Sequence, residues 1–396
     1  MWEKQLHQVS YPPTLSLALL LMLRIRSAKK NSCPSSVITQ KHSVLILILT
    51  WWGSSTPKQT GGSPTKGLPA HFQIWQRGTR TAVKLLAVIL GKIRHASQVT
   101  PCGEFICFFL QECLNAHVKK FGSRKASWSK FRQVYINSSA AFTLNLLQSL
   151  LECESLHVWS RPIGLLVKRD PTFVQLTDAS TKDLGGVRFD ALNFQWRCPS
   201  SLFTLDRDPC SYETFEEHDP NPHINILEFI AIIIHAYFAI LRMKEKTIQV
   251  QFLTPNGYIL SCLADNTSAL SWMYHTSRSR SVPIRNLAQF FVTLLFHTNS
   301  LFPLDCQGDH IPGLLNVHSD ALSRPQLFPS YNDVFAKYDC MRNIPRFQVP
   351  RKFIVMLNSC VSHQPMQAPS EREMKQLLAP HLCSFKSFAS PNILMT

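Results

Sequence analysis

The sequence predicts an α/β fold over residues 161–328, preceded by a basic and mostly helical region. In the later part of the chain, short runs of strand-like residues are interspersed with apolar runs that are too long for strands. Before residue 160 the apolar residues recur at helical intervals. All of the net charge of +16 lies in residues 1–170, which hold 22 Lys and Arg against 6 Asp and Glu. Residues 171–396 are balanced, with 19 basic and 19 acidic residues.

The composition is that of a folded intracellular protein. With 396 residues, 45% of them apolar, the chain is long enough for two or three domains with hydrophobic cores. The concentrated positive charge suggests a surface for a polyanion such as nucleic acid, with a merely solvated basic surface as the ordinary alternative. The 12 cysteines form no Cys-x-x-Cys pair, so we expect reduced thiols and a location in the cytoplasm or nucleus.

Residues 1–75 receive no domain assignment and are expected to be poorly ordered. Two apolar runs, 15–23 and 44–52, are too short to cross a bilayer, and basic residues follow the first where a signal peptide has small ones. No membrane association is therefore expected, although a secreted or membrane protein built on this N-terminus is one alternative. The stretch 53–70 is rich in Gly, Ser, Thr and Pro, which predicts a linker.

Residues 76–160 are predicted to be helical. The apolar residues recur at helical intervals in AVKLLAVILGKI (82–93) and in FICFFLQECLNAHV (105–118). The second run is followed by the basic segment KKFGSRKASWSKFR (119–132). These patterns predict basic helices.

The sheet is predicted to begin at FVQLTDAS (173–180). The next run, GGVRFDALNFQWR (185–197), has two alternating stretches about a turn, which completes an opening β-meander. The run INILEFIAIIIHAYFAILRMK (224–244) is nearly apolar throughout and too long for a strand, so it predicts a deeply buried helix. Two strand-like runs follow, TIQVQFL (247–253) and GYILSCLA (257–264), joined by turn residues.

Two helices are predicted next, from about residue 267 and around 284–297, and then a strand near 301–306 and a last short helix. The order β-β-β-α-β-α-α-β-α predicts a mixed five-stranded sheet flanked by helices. Residues 329–396 turn irregular and Pro-rich, and we expect them to form a loosely ordered tail.

Four carboxylates fall at predicted strand ends or helix starts: Asp178, Glu228, Asp265 and Asp320. Each has an ordinary explanation as a turn former or helix cap, and Glu228 has capping-box spacing with Asn225. Together they would converge at one edge of the sheet, where carboxylates repel one another unless a cation lies between them. Oxygen ligands favour Mg²⁺ or Mn²⁺, and a pair of such ions can activate water and stabilise the leaving oxygen of a phosphodiester.

The motifs around these carboxylates resemble the RNase H domain of retroelement reverse transcriptases, most closely that of DIRS-like tyrosine-recombinase retrotransposons. They are TDAS (177–180), HINILEF (223–229), ADNTSAL (264–270) and HIPGLLNVHSDALSRP (310–325). A glutamate between the first two aspartates resembles RNase H, whereas the related transposases and integrases carry their glutamate last. The resemblance implies an RNase H-like sheet and a metal-dependent endonuclease that cleaves the RNA strand of RNA/DNA hybrids.

The resemblance also implies roles for individual residues. The four carboxylates would be catalytic ligands of two Mg²⁺ (or Mn²⁺) ions. His310, ten residues before Asp320, matches the family's mobile histidine, which assists product departure or proton transfer to the leaving group. Contacts to nucleic acid are expected from Asn266, Arg278 and Asn316, and Asn316 is also expected to brace the loop before Asp320.

Upstream, residues 84–116 resemble the thumb and connection region that joins polymerase to RNase H, so residues 76–160 are expected to be thumb- or connection-like. The Tyr-x-Asp-Asp signature of a polymerase palm is missing, as is the His-x-x-Arg and tyrosine signature of a tyrosine recombinase. We therefore expect a fragment of a retrotransposon polyprotein that acts beside a polymerase encoded elsewhere. The alternative is a catalytically silent relic that only binds nucleic acid.

Overall fold

The computed structural model describes ten segments of the chain, and the structural statements below concern those segments. They are 77–97, 103–121, 132–152, 170–204, 222–249, 257–275, 281–299, 301–302, 304–362 and 369–379. The predictions for residues 1–75, including the linker, and for Arg278 lie outside the described residues.

The helical prediction for residues 76–160 is confirmed within the described residues. Three helices occupy most of them: α1 (Val83–Ser97), α2 (Gly103–Phe121) and α3 (Ser138–Glu152). A short antiparallel pair of strands, β1 (Arg80–Ala82) and β2 (Gln133–Tyr135), is an addition that the sequence did not predict. The pair ties the start of α1 to the segment before α3, and α1 packs against α2 through its apolar side.

A six-stranded mixed sheet forms the centre of the second half of the chain. Its strands are β3 (Phe173–Ala179), β4 (Asp183–Arg188), β5 (Phe194–Pro199), β6 (Tyr258–Ala264), β7 (Leu304–His310) and β8 (Arg346–Phe347). They lie in the order β7-β6-β3-β4-β5-β8. Strands β3, β4 and β5 form the predicted antiparallel meander. The other pairs are parallel: β6 with β3, β7 with β6, and β8 with β5. The α/β class with a mixed sheet is confirmed, with six strands in place of five.

Helices flank both faces of this sheet. They are α4 (Ile224–Gln249), α5 (Thr267–His275), α6 (Val282–Asn299), α7 (Val317–Ser323), α8 (Tyr331–Lys337), α9 (Arg351–Val361) and α10 (Glu371–Leu377). Two successive glycines of β4 show which helix covers which face, because neighbouring residues of a strand point to opposite sides. A Cβ at Gly185 would collide with Leu322 of α7, whereas a Cβ at Gly186 would collide with His235 of α4. The two helices therefore lie on opposite faces.

The long helix α4 is apolar on all sides because it is covered on two sides. The sheet covers one side, where Trp196 Nε1 donates a hydrogen bond of 3.2 Å to His235 Nδ1. Helices α5 and α6 and the C-terminal helices cover the rest, where Phe229 packs edge-on against Phe291 and Tyr237 stacks on Phe353 with ring centroids 4.1 Å apart. By length and composition Ile224–Glu245 could cross a membrane, yet 89% of its apolar window is buried inside the fold, as in the core helix of a globular protein.

Two element boundaries differ from the prediction. Helix α4 includes residues 247–249, the first three of the run TIQVQFL that was expected to be a strand, and the rest of that run lies outside the described residues. An ion pair of 2.7 Å between Arg242 and Glu245 supports the last turns of the helix. The strand expected near 301–306 begins later, at Leu304, because the amides of residues 301 and 302 both bond to the carbonyl of Thr298 and close the end of α6.

The expectation of an irregular tail over residues 329–396 is wrong for the described part of that segment. It contains three helices and the edge strand β8, and α8 contributes Val334 and Phe335 to the core under α7. Both α8 and α10 begin with a capping box, at Ser330 and Ser370, which satisfies the free amides of a short helix. Among the described residues, Pro329, Pro345 and Pro350 lie between these short elements, and Pro350 is the N-cap residue of α9. These prolines mark helix starts and turns.

Candidate metal centre

The strand order brings two aspartates together at one edge of the sheet. Asp178 is the penultimate residue of β3, and Asp265 directly follows β6. The two strands are parallel neighbours with Leu176 beside Leu263, so their carboxyl ends lie level with each other. Helix α4 begins near the same edge and packs against β3, which brings Glu228, its fifth residue, to the aspartates.

Asp178, Glu228 and Asp265 form a compact carboxylate cluster. One oxygen from each lies within 4.8 Å of the others, a spacing at which all three could hold one metal ion. Asp178 and Glu228 are almost fully buried, at 2% and 3% exposure, and Asp265 is half-buried. The carboxylate of Glu228 accepts a hydrogen bond from the backbone of Ala179, while its Oε2 is buried without a hydrogen-bond partner among the described residues.

Burial and nearby negative charge raise the pKa values of two of these carboxyls, Asp178 and Glu228, in the absence of a cation. Burial, with the charges of Asp265 and Asp320, raises the pKa of Asp178 to about 7, although a hydrogen bond from Ser323 lowers it. Burial and the charges of Asp178 and Asp265 raise the pKa of Glu228 to about 9. A dication among the carboxylates would favour their ionised forms. The donor set, oxygen only with one buried free acceptor, therefore fits a hard metal ion.

Asp320 lies beside this cluster on α7 but is not part of it. Its carboxylate forms an ion pair with Arg324 one turn further along the helix, and both side chains are partly exposed. Its charge nevertheless raises the pKa of Asp178, so the two carboxylates are close enough to interact. The structure thus brings three of the four predicted ligands together and places the fourth next to them.

Helix α7 is held close to Asp178 by Ser323 and by Gly185. The Ser323 hydroxyl donates a short hydrogen bond to Asp178 Oδ2, and its backbone carbonyl accepts one from Ser180. Gly185 pairs with Asp178 across β3 and β4, and its missing side chain is what lets Leu322 pack directly on the strand. A larger residue at this position would separate α7 from the cluster.

The ordinary explanations of the four carboxylates as turn formers or caps do not hold in the structure. Asp178 lies within a strand, and Asp320 is the fourth residue of α7 rather than its N-cap. Asn266, not Asp265, caps α5, because its Oδ1 accepts a 3.0 Å hydrogen bond from the amide of Ala269. Asn225 lies inside α4, and its Oδ1 accepts a 2.8 Å hydrogen bond from Asn266.

The other predicted site residues differ in their position and exposure. His310 ends β7 at the same edge of the sheet, beside Ala264 in the strand register, and its side chain is exposed. Asn266 is half-buried, with both ends of its amide used inside the fold. Arg278 lies outside the described residues.

Asn316 braces the loop as expected, but its predicted contact to nucleic acid is wrong. The side chain is 1% exposed, its Nδ2 donates a 2.9 Å hydrogen bond to the carbonyl of Thr177, and its Oδ1 accepts from Ser319. The amide therefore ties the loop to the residue directly before Asp178 and cannot reach a ligand. Its role is to position the loop.

Sequence reasoning missed Ser323, Arg324 and Gly185 as parts of the site. The signal for the first two was their spacing from Asp320, because residues three and four positions apart share one face of a helix. The signal for Gly185 was the Gly-Gly pair in a strand pattern, which marks a close approach of another element.

Comparisons with protein-family models, curated proteins and solved structures find no match to the chain.

Proposed function

We propose that the chain is a metal-dependent endonuclease of the RNase H type that cleaves the RNA strand of RNA/DNA hybrids. The observation that carries the proposal is the convergence of Asp178, Glu228 and Asp265, with one oxygen of each within 4.8 Å of the others, at the carboxyl edge of a mixed sheet. Asp320 on the adjacent helix supplies the fourth carboxylate once its ion pair with Arg324 opens.

The proposed cofactors are two Mg²⁺ or Mn²⁺ ions held by the four carboxylates. When bound, such ions favour ionisation of the attacking water and stabilise the leaving oxygen of a phosphodiester. Asp178, buried and bonded to Ser323, would act as a fixed ligand, and the free Oε2 of Glu228 as another. His310, exposed at the same edge, would deliver a proton to the leaving 3′ oxygen, so that cleavage leaves a 3′ hydroxyl and a 5′ phosphate.

The basic helices would bind the phosphate backbone of the hybrid. Lys84 on α1, Lys119 and Lys120 at the end of α2, and Arg132 before β2 all have exposed side chains. Such cations supply the sequence-independent part of nucleic-acid affinity. Asn266, half-buried at the same edge of the sheet, and Arg278 are further proposed contacts. We propose an intracellular setting in which a polymerase encoded elsewhere produces the hybrids.

The test is incubation of the full chain with an RNA/DNA hybrid labelled on both strands, in Mg²⁺ or in EDTA. Cleavage of the RNA strand in Mg²⁺ alone is expected. Asp178→Asn should abolish cleavage without unfolding the protein, whereas Asp339→Asn, a matched change at an exposed aspartate of the same chain, should leave it unchanged. Full activity in Asp178→Asn would rule the function out, and binding without cleavage by the wild-type chain would favour the silent relic.

A further inference from the structure

The loop beside the carboxylate cluster ends in two exposed leucines. Leu314 and Leu315 lie in a single turn of 3-10 helix, Gly313–Leu315, and are 91% and 64% exposed. Leu314 is the most exposed large apolar side chain in the part of the chain that the structure describes. The fold gains nothing from leaving these side chains in water, and adjacent exposed apolar residues commonly mark an interaction surface.

Both ends of this leucine tip are fixed to the strands that carry the aspartates of the site. Before the tip, the amide of Ile311 donates a 3.1 Å hydrogen bond to the carbonyl of Ala264, directly before Asp265. After it, Asn316 bonds to the carbonyl of Thr177 at 2.9 Å, directly before Asp178. The exposed leucines are therefore held at a set position relative to the carboxylate cluster.

The tip also lies against the cluster itself. A Cβ at Gly313 would come within 3.0 Å of Asp265 Oδ2, so the backbone of the turn passes directly over this carboxylate. The turn is closed by its own hydrogen bonds, from Leu315 to the carbonyl of Pro312 at 2.8 Å and from Asn316 to that of Gly313 at 3.0 Å. The turn that carries the two leucines therefore adjoins the place where a phosphate would reach Asp265.

We propose that the Leu314–Leu315 tip docks in the minor groove of the hybrid and sets which phosphate faces the carboxylates. The proposal rests on the proposed function. Leucine side chains cannot bind phosphates, but the minor groove of an A-form-like duplex is wide and shallow, displays 2′-hydroxyls and base edges, and is open to a protein surface. In other proteins, apolar side chains insert between base steps from the minor groove of DNA. The cationic helices supply attraction to the backbone, and the leucine tip supplies register.

The experiment compares the full-length wild type with the double variant Leu314→Ser/Leu315→Ser in hybrid cleavage. The matched control is Leu301→Ser, a 40% exposed leucine before β7, at the end of that strand opposite the site. For the double variant we expect KM to rise about tenfold through lost apolar contact, and the cuts, mapped on the labelled RNA strand, to spread over neighbouring phosphates. The slope of log KM against log salt should stay the same, because no ionic contact is removed.

The outcomes separate the docking from the catalytic function. A wild-type KM in the double variant, with the wild type active, overturns the docking and leaves the nuclease. A raised KM with an altered salt slope also overturns it, because the lost contact would then be ionic. If the wild type neither binds nor cleaves the hybrid, docking and function both fail. Leu314→Ser alone, at the more exposed position, provides the same test if the double variant does not fold.

Discussion

Replacing Glu228 with glutamine is expected to stabilise the metal-free protein at neutral pH. The pKa of this buried carboxyl is raised to about 9, against an ordinary value of 4.5. The folded protein therefore keeps a proton that the unfolded chain releases above pH 4.5, and the free energy of unfolding falls as the pH rises from about 4.5 to about 9. Glutamine does not titrate, so the substitution removes this fall in the free energy of unfolding. Its amide oxygen can still accept the hydrogen bond from Ala179.

The gain in the free energy of unfolding follows from the difference between the pH of the assay and the ordinary pKa of Glu228. At pH 7 the difference from 4.5 amounts to about 3 kcal/mol, at roughly 1.4 kcal/mol for each pH unit. For a domain of this size, 1 kcal/mol changes Tm by about 2–4 °C, so Glu228→Gln should raise Tm by about 6–12 °C. The gain should be small near pH 5 and largest near pH 9.

The assay is thermal unfolding of the full chain in EDTA at pH 5, 7 and 9. Glu245→Gln is the control on the same helix, where the carboxylate forms a 2.7 Å ion pair with Arg242, and it should leave Tm unchanged or lower it. Addition of Mg²⁺ at pH 7 should raise Tm of the wild type and not that of Glu228→Gln, because the variant lacks a ligand. The reasoning is refuted if Glu228→Gln is no more stable than wild type at pH 7, or if the difference does not depend on pH.

Three further changes test other contacts of the site and fold. Gly185→Ala should destabilise the protein by about 1–3 kcal/mol and reduce cleavage, because the added methyl group would push Leu322, and with it α7, away from the strand. Deletion of residues 329–396 should give an insoluble or unfolded protein in a solubility and thermal-unfolding assay, because it removes Phe353 from Tyr237 of α4 and the core residues Val334 and Phe335 from under α7. Ser323→Ala should raise the pKa of Asp178 further and shift the rise of activity with pH to higher pH, as measured by a pH–rate profile.

Each of these changes has a control within the chain. Gly91→Ala adds a methyl group in α1 with nothing within 4 Å, and should stabilise by about 0.5–1 kcal/mol. The full-length chain in the same assays is the control for the deletion. Ser359→Ala removes an exposed hydroxyl bonded only within α9 and should leave the pH profile unchanged. If a variant and its control have equal effects, the predicted role of the corresponding contact is wrong.

The cluster of Asp178, Glu228 and Asp265 could be predicted because strand ends and helix starts are legible in the sequence. Apolar runs show where a strand stops, and the carboxyl ends of parallel neighbours meet at one edge. The spacing of Arg324 from Asp320 permits their pairing but does not select it, since other partners also lie within reach of a carboxylate at a helix surface. Burial of Asn316 was likewise hidden, because its position before a helix does not show which way its side chain points.

The C-terminal segment shows where reasoning from composition failed. Prolines and short apolar runs resemble a disordered tail when each run is considered alone. The helix α4, however, is apolar all round, and a single sheet can cover only one of its sides. The need for a second covering layer was therefore present in the sequence; α5 and α6 provide part of it, and the stacking of Tyr237 on Phe353 shows that the C-terminal segment provides another part.

The sequence by itself determined the class of the fold, the positions of the carboxylates and the long buried helix, because local periodicity and chain order suffice for each. Only the tertiary structure decided which oxygens meet within 4.8 Å, how α7 is held near Asp178, and that residues after 328 complete the core. Those features depend on contacts between residues that are distant in the sequence, such as Ser323 with Asp178, which are 145 positions apart. Such contacts follow from packing of the whole chain and leave no periodic signal in any one segment.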